Sequence, residues 1–225
     1  MAKPTLIIGN KNYSSWSLRP WLALKVAGIA FNEELVPLFG DGWTTRKAEL
    51  PSGTVPVLEH DGVVIWETLA ILEYAAETWP NAHLWPQDKA ARALARAAAN
   101  EMHAGFGKLR SHMPMNIRGH YPGRGLHPGV AENIKRIETL WSACRAKFND
   151  GGDFLFGEFC IADAMFAPVV SRFTTYAVKL NPVCQAYGDA VQALPAMQEW
   201  SAAARAEPWT IDEDEIDVIE GKRKT

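Results

Sequence analysis

Cysteine is scarce in this chain of 225 residues: there are three, Cys144, Cys160 and Cys184, all in the second half. An odd and widely spaced set provides no disulfide framework and fits a reducing compartment, so a cytoplasmic location is expected. Long apolar runs are missing as well. The apolar start, Leu6-Ile7-Ile8, is too short for the core of a secretion signal, and no stretch approaches the ~20 residues of a membrane helix, so neither export nor a membrane span is expected. Neither sign of charge dominates. With 23 Lys+Arg against 26 Asp+Glu the net charge is −3, which argues against a protein that wraps nucleic acid through bulk charge. The six histidines lack a His-x-x-x-His spacing, so no metal is expected, and neither a P-loop nor a Gly-x-Gly-x-x-Gly dinucleotide loop occurs.

What is present is an ordinary globular composition, 48% hydrophobic and 22% charged, in a chain long enough for one large domain or two small ones. Thr5-Leu6-Ile7-Ile8 ending at Gly9 reads as a short buried strand, followed by a polar loop. The apolar positions Trp21, Leu22, Leu24 and Val26 with Gly28 just beyond predict a helix over 16–27. Proline lacks an N–H and fits the first turn, so Pro20 places the expected N-cap at Ser17, with Ser14 and Ser15 ahead of the helix. Segment 31–38 has strand character, and 41–50 is ambiguous between a loop and a short helix. Val57-Leu58-Glu59, an Asp61-Gly62 turn and Val63-Val64-Ile65-Trp66 predict a hairpin, and Leu69, Leu72, Ala75 and Ala76 predict a helix over 68–78.

After His83-Leu84-Trp85-Pro86 strand signals give way to alanine-rich helical ones, with helices expected over 87–111, 130–148, 161–180 and 196–205. The expected organisation is an α/β domain over 1–80, a linker over 81–86, an all-helical domain over 87–211, and a tail over 212–225. That tail carries six acids and then Lys222-Arg223-Lys224, and it is expected to be exposed.

A β-α-β unit followed by a hairpin and helix is the plan of a thioredoxin-like domain, whose active end is the loop before the first helix. Disulfide exchange at that point needs Cys-x-x-Cys, because one thiolate attacks and a second resolves. The first half has no cysteine; Ser14, Ser15 and Ser17 stand there instead. A hydroxyl at this point suits donation to a thiolate brought by a ligand, which directs attention to glutathione.

The motifs Ser14-Ser15-Trp16-Ser17-Leu18-Arg19, Thr54-Val55-Pro56-Val57-Leu58 and Glu67-Thr68-Leu69-Ala70-Ile71 resemble the glutathione-site signatures of the soluble glutathione S-transferases, and the resemblance spans the whole chain. The serine-rich first motif is most similar to the zeta class, known for maleylacetoacetate isomerase activity, which carries cysteine where Trp16 stands. The segment from Phe154 through Asp163 resembles the family's helical capping motif, with Cys160 at the N-cap position.

The resemblance implies a thioredoxin-like domain followed by a helical bundle, with glutathione as cosubstrate, a small electrophile as second substrate, and a homodimer. It implies a cis Val55-Pro56 bond that turns the Val55 backbone toward the ligand, Glu67 as receiver of the γ-glutamyl ammonium, and the Thr68 hydroxyl and N–H as donors to the γ-glutamyl carboxylate. A free thiol of pKa ~8.5 is mostly protonated at neutral pH; one charge-assisted hydrogen bond of ~1.5–3 kcal/mol beside a helix N-terminus lowers that value by ~1–2 units. Ser14 aligns with the first serine of the motif and is the first candidate donor, Ser15 the second and Tyr13 the alternative. Serines before a helix also serve simply as caps, and Glu67-Thr68 as an acidic helix start.

Between Glu101 and Glu132 there is no acid, while Lys108, Arg110, Arg118 and Arg124 occur with four histidines. A solvated helix end accounts for these charges; the sharper reading is attraction of an anionic cosubstrate. Arg110, Met113 and Arg118, with Tyr13, are the candidate lining of the electrophile pocket. The expected activity is conjugation or glutathione-dependent isomerisation, and the competing class is a non-catalytic binding or scaffold protein of the same fold.

Overall fold

The computed structural model of the chain describes residues 2–222, so Arg223 and Lys224 of the predicted basic end lie outside the described residues. Short apolar segments first build a sheet. β1 (Thr5–Ile8) pairs in parallel with β2 (Asn32–Leu35) and antiparallel with β3 (Val57–His60), and β3 pairs antiparallel with β4 (Val63–Trp66). The strand order is therefore β2-β1-β3-β4, with the Asp61-Gly62 hairpin at one edge. The helices of this half are α1 (Ser15–Val26), α2 (Trp43–Glu49) and α3 (Thr68–Thr78), so the ambiguous segment 41–50 is mainly helical.

Helix α1 starts three residues earlier than Pro20 predicted: its N-cap is Ser14, not Ser17, and Pro20 lies inside it. The missing N–H of Pro20 would leave the Trp16 carbonyl without a helical donor. That carbonyl instead accepts from the hydroxyl of Thr68 at 3.0 Å, because α3 packs beside α1.

The second half contains α4 (Lys89–Ala104), α5 (Gly107–His112), α6 (Val130–Phe148), α7 (Ile161–Thr175), α8 (Pro182–Ala193), α9 (Pro195–Ala206) and α10 (Ile216–Ile219). The predicted 87–111 helix breaks at Phe106, which adopts φ 58°. The 161–180 helix stops at Thr175, and α8 went unpredicted although Asn181 caps it and Pro182 occupies its first turn. Helix α7 is the central element, buried at every position except Thr174. Its start joins the Cys160 backbone N–H to the Asp163 carboxylate at 2.8 Å, with a reciprocal side-chain cap. Helix α1 lies between the sheet and α7, so the two halves share a core in which Trp21 and Trp200 meet edge to face at 5.1 Å. Among the described residues no helix is long and apolar enough to cross a membrane.

The acidic tail does not project into solvent as expected. Ile211 and Ile216 are buried. The Glu215 carboxylate accepts from Tyr13 Oη at 2.6 Å, Asn116 Nδ2 at 3.0 Å and Tyr121 Oη at 3.3 Å. Arg124 donates to Glu220 at 2.9 Å and to Asp217 at 2.6 Å. The acids meet partners in the acid-free 102–131 stretch, and this pairing holds the segment against the body.

Candidate active site

The loop between β1 and α1 faces a cavity of about 540 Å³. Ser14 and Ser15 line it, with Trp16, Arg110, Arg172 and Asp214 among the other walls. A second cavity of about 290 Å³ is lined by Val55, Pro56, Glu67, Thr68 and His103. Trp16, Thr54, Val55 and Arg110 border both, so the two form one continuous cleft. Val55, Pro56, Glu67 and Thr68 are thus brought together beside the two serines. The Val55-Pro56 bond is cis, as the resemblance implies.

Each of these groups is held by local structure. Ser14 donates its hydroxyl proton to Ser17 Oγ at 2.7 Å, and Ser17 Oγ also accepts the Gly9 N–H at 3.0 Å. A Cβ on Gly9 would meet the Leu38 side chain at 2.8 Å and Ser14 Cβ at 3.2 Å, so a larger residue there would have to displace Leu38. Ser15 Oγ accepts a long bond, 3.4 Å, from Arg172 Nη2. Glu67 stands at φ 70°, ψ 125°, a conformation that costs a side-chain-bearing residue ~1–3 kcal/mol and is found at ligand clamps. Its exposed carboxylate lies 3.8 Å from His103 Nε2. Thr68 opens α3, so its N–H belongs to the unpaired first turn, whereas its hydroxyl proton is already committed to Trp16. Of the two donors expected from Thr68, the N–H is the one available to an anion.

Arg110 and Arg172 line the cleft, and a third guanidinium, that of Arg19, lies behind its Trp16 wall. Arg19 is fully buried, donates to the Met165 and Ser15 carbonyls at 2.9 and 2.8 Å, and lies 4.2 Å from the Trp16 ring. Arg110 lies 4.9 Å from the same ring. Burial first, and then the charges of Arg172 and Arg110, hold Arg19 well below the usual arginine range. Burial, followed by repulsion from Arg110, likewise brings Arg172 down to about 10. Facing them, Asp214 is pushed up to about 6 by burial, against the opposing pull of Arg172.

Of the four candidate lining residues, the structure brings two to the cavity. Arg110 and Tyr13 line the larger cavity, but the Tyr13 hydroxyl gives its single proton to Glu215 and accepts from Arg118 at 2.9 Å, so it has no proton left for a thiolate. Met113 is not at the cavity wall: it is buried behind it, where its carbonyl accepts from Arg172 at 2.8 Å, and Met115 lines the cavity instead. Arg118 is directed away, donating to the Glu207 and Trp209 carbonyls at 2.7 Å each. It fastens the chain after α9 because those carbonyls, and not a pocket, are within its reach.

Sequence reasoning missed Arg172 and Asp214 and gave Trp16 no role. A signal for Arg172 existed, a lone arginine in the apolar run from Met165 to Phe173. No local signal marked Asp214, one of six acids in a tail. Among the described residues no group of three or more potential metal ligands is gathered.

Residues 13–78 match the family model for the glutathione S-transferase N-terminal domain. Glutathione S-transferase 1 of Dianthus caryophyllus is 38% identical over 187 residues, 79% of this chain and 82% of its own length. The maleylacetoacetate isomerase of Rattus norvegicus is 29% identical over 185 residues, covering 80% of this chain and 82% of its own. A glutathione transferase homolog from Burkholderia, solved with bound glutathione, superposes with a TM-score of 0.69 at 25% identity, over 92% of this chain and all of its own.

Proposed function

The chain belongs to the glutathione S-transferase family, and on that premise we propose that it binds reduced glutathione along Val55, Glu67 and Thr68 and presents its sulfur as a thiolate beside Ser14 and Ser15 to a small anionic electrophile. The observation that carries this reading is the continuity of the cleft: Val55, Glu67 and Thr68 at one end, serine hydroxyls at the start of α1 in the middle, Arg172 at the other end, and Arg110 on the wall that both parts share.

Each part has a physical role. Val55 offers backbone N–H and C=O groups to the cysteinyl backbone in the manner of an added strand, and Pro56 fixes the bend that presents them. The N–H of Thr68 at the start of α3 receives a carboxylate, while Glu67 receives the ammonium. Residues 1–80 supply this half of the site, and the helices within 87–211 supply the electrophile side, with Asp214 of the tail closing it. Arg110 and Arg172 attract a carboxylated substrate and orient it so that the thiolate attacks its electrophilic carbon.

Conjugation consumes glutathione, whereas isomerisation adds the thiolate to an activated double bond, allows rotation and expels it again. The similarity to maleylacetoacetate isomerases supports the second outcome. Cytoplasmic glutathione and a reducing environment suit a chain with three free cysteines. A homodimer is supported by the exposed apolar side chains of Val63, Val64 and Trp66 on edge strand β4, a surface that isolated monomers seldom leave open.

Calorimetric titration with reduced glutathione, followed by a panel of unsaturated carboxylic and neutral electrophiles with glutathione assayed throughout, tests the proposal. Saturable binding with turnover of the carboxylated members is expected. Absence of glutathione binding by the folded protein removes the reading, and binding without turnover of any electrophile leaves a scaffold.

A further inference from the structure

We propose that Ser15, not Ser14, is the hydroxyl that holds the glutathione thiolate, and that the buried guanidinium of Arg172 is the positioning residue behind it; this rests on the glutathione reading above.

A serine hydroxyl has one proton to donate. Ser14 spends its proton inside the loop, on Ser17 Oγ at 2.7 Å, and the accepting oxygen is itself fixed by the Gly9 N–H at 3.0 Å. Ser15 is in the opposite state. Its oxygen accepts from Arg172 Nη2 at 3.4 Å, and among the described residues its own proton has no acceptor. Both serines border the cavity, but only Ser15 has a donor to offer it.

Arg172 is carried by the buried helix α7 and is held by the carbonyls of Met113 at 2.8 Å and Pro168 at 3.2 Å. Every one of these partners is neutral, and among the described residues Arg172 makes no ion pair within 4.0 Å. Arg110 repels it, and Asp214 is the acid whose field acts on it. A buried charge with so little compensation favours an anion forming beside it. The 3.4 Å contact is long for a hydrogen bond, so the guanidinium acts chiefly by its charge and by turning the Ser15 proton away from itself. A thiolate accepting that proton would lie within ~4–6 Å of the guanidinium, a separation at which an opposite charge lowers a pKa by ~1–3 units. In this step the thiol S–H bond breaks, the electron pair stays on sulfur and the proton leaves to solvent.

The test is titration of the bound thiol by its ultraviolet thiolate absorbance, in wild type and in Ser14→Ala, Ser15→Ala, Arg172→Lys, Arg172→Gln and Ser15→Ala/Arg172→Gln. Wild type is expected to bind glutathione with a thiol pKa well below the free value. Ser15→Ala should raise it by ~1 unit or more, and by more than Ser14→Ala does. Arg172→Gln should also raise it, with Arg172→Lys in between, and the double variant should show less than the sum of the two single shifts because the groups act as a unit. Each variant is checked for an unchanged circular dichroism spectrum; should the Arg172 variants not fold, the two serine variants still decide between Ser14 and Ser15. A larger shift for Ser14→Ala, or additive effects of Ser15 and Arg172, would overturn the inference and leave the glutathione reading standing. An ordinary thiol pKa in bound wild type overturns it too. Failure of wild type to bind glutathione would defeat the functional reading itself, and this inference with it.

Discussion

The hydroxyl of Thr68, first residue of α3, donates to the carbonyl of Trp16 in α1 at 3.0 Å and so supplies the hydrogen bond that Pro20 cannot. One side chain thereby joins the two helix starts that flank the cleft. Trp16 and Thr68 both border the smaller cavity, so the spacing between its walls depends on this bond.

Thr68→Val keeps the shape and removes the donor, leaving a part-buried carbonyl unpaired. A loss of ~1–3 kcal/mol in stability is expected, and Thr68→Ser should restore most of it. Urea unfolding of the three proteins measures the difference. Equal midpoints for wild type and Thr68→Val would show that the Trp16 carbonyl finds another donor.

Glu67 combines a strained backbone with an exposed carboxylate, and two substitutions separate these properties. Glu67→Ala and Glu67→Gly should each weaken glutathione binding by about tenfold to a hundredfold through loss of a partner for the ammonium. Glycine adopts positive φ without penalty, so Glu67→Gly should be the more thermally stable of the pair. Calorimetric titration and melting curves test both halves. Unchanged affinity in either variant excludes Glu67 from the binding site.

Asp214 provides a pH dependence. Its pKa in the folded chain is pushed up to about 6 by burial, while Arg172 pulls it down and Glu213 and Glu215 push it up. The folded chain therefore holds this proton more tightly than the unfolded chain, whose aspartates titrate near ~3.9. The contribution of this group to stability is fully present below ~3.9 and is lost as pH rises through about 6. Protonation also removes the negative charge facing Arg172. Affinity for an anionic probe should consequently rise as pH falls through that range, and Asp214→Asn should bind it more tightly at neutral pH with a flatter profile. The same slope in wild type and variant would assign the titration to another group.

Tyr13 links the β1–α1 loop to the C-terminal segment through its 2.6 Å bond to Glu215. Tyr13→Phe should cost ~1 kcal/mol in stability and leave the bound thiol pKa close to that of wild type. A shift of the thiol titration as large as that caused by Ser15→Ala would transfer the donor role to Tyr13.

The elements legible in the sequence were those specified by neighbours along the chain. Leu6-Ile7-Ile8 before Gly9, the Asp61-Gly62 turn and the apolar spacing from Leu69 to Ala76 each locate their own strand, hairpin or helix, and α6 spans the predicted 130–148. The motifs that hold the serines, Val55-Pro56 and Glu67-Thr68 stood out through a family resemblance because each is short and contiguous, and the structure gathers them at one cleft.

Tertiary structure decided what depends on a partner distant in sequence. The start of α1 required Thr68, 52 positions from the carbonyl it satisfies, and no rule about proline contains that donor. The tail was read as exposed because its acids outnumber its apolar residues, yet Ile216 is buried and Glu215 accepts from residues as far away as Tyr13. Arg118 and Arg110 are alike in sequence, both cations in an acid-free stretch, but carbonyls beyond α9 capture one while the other remains at the cavity. Charge pattern determines that a region is cationic, whereas the direction each guanidinium takes is settled by which acceptors the packed chain brings within about 3 Å of it.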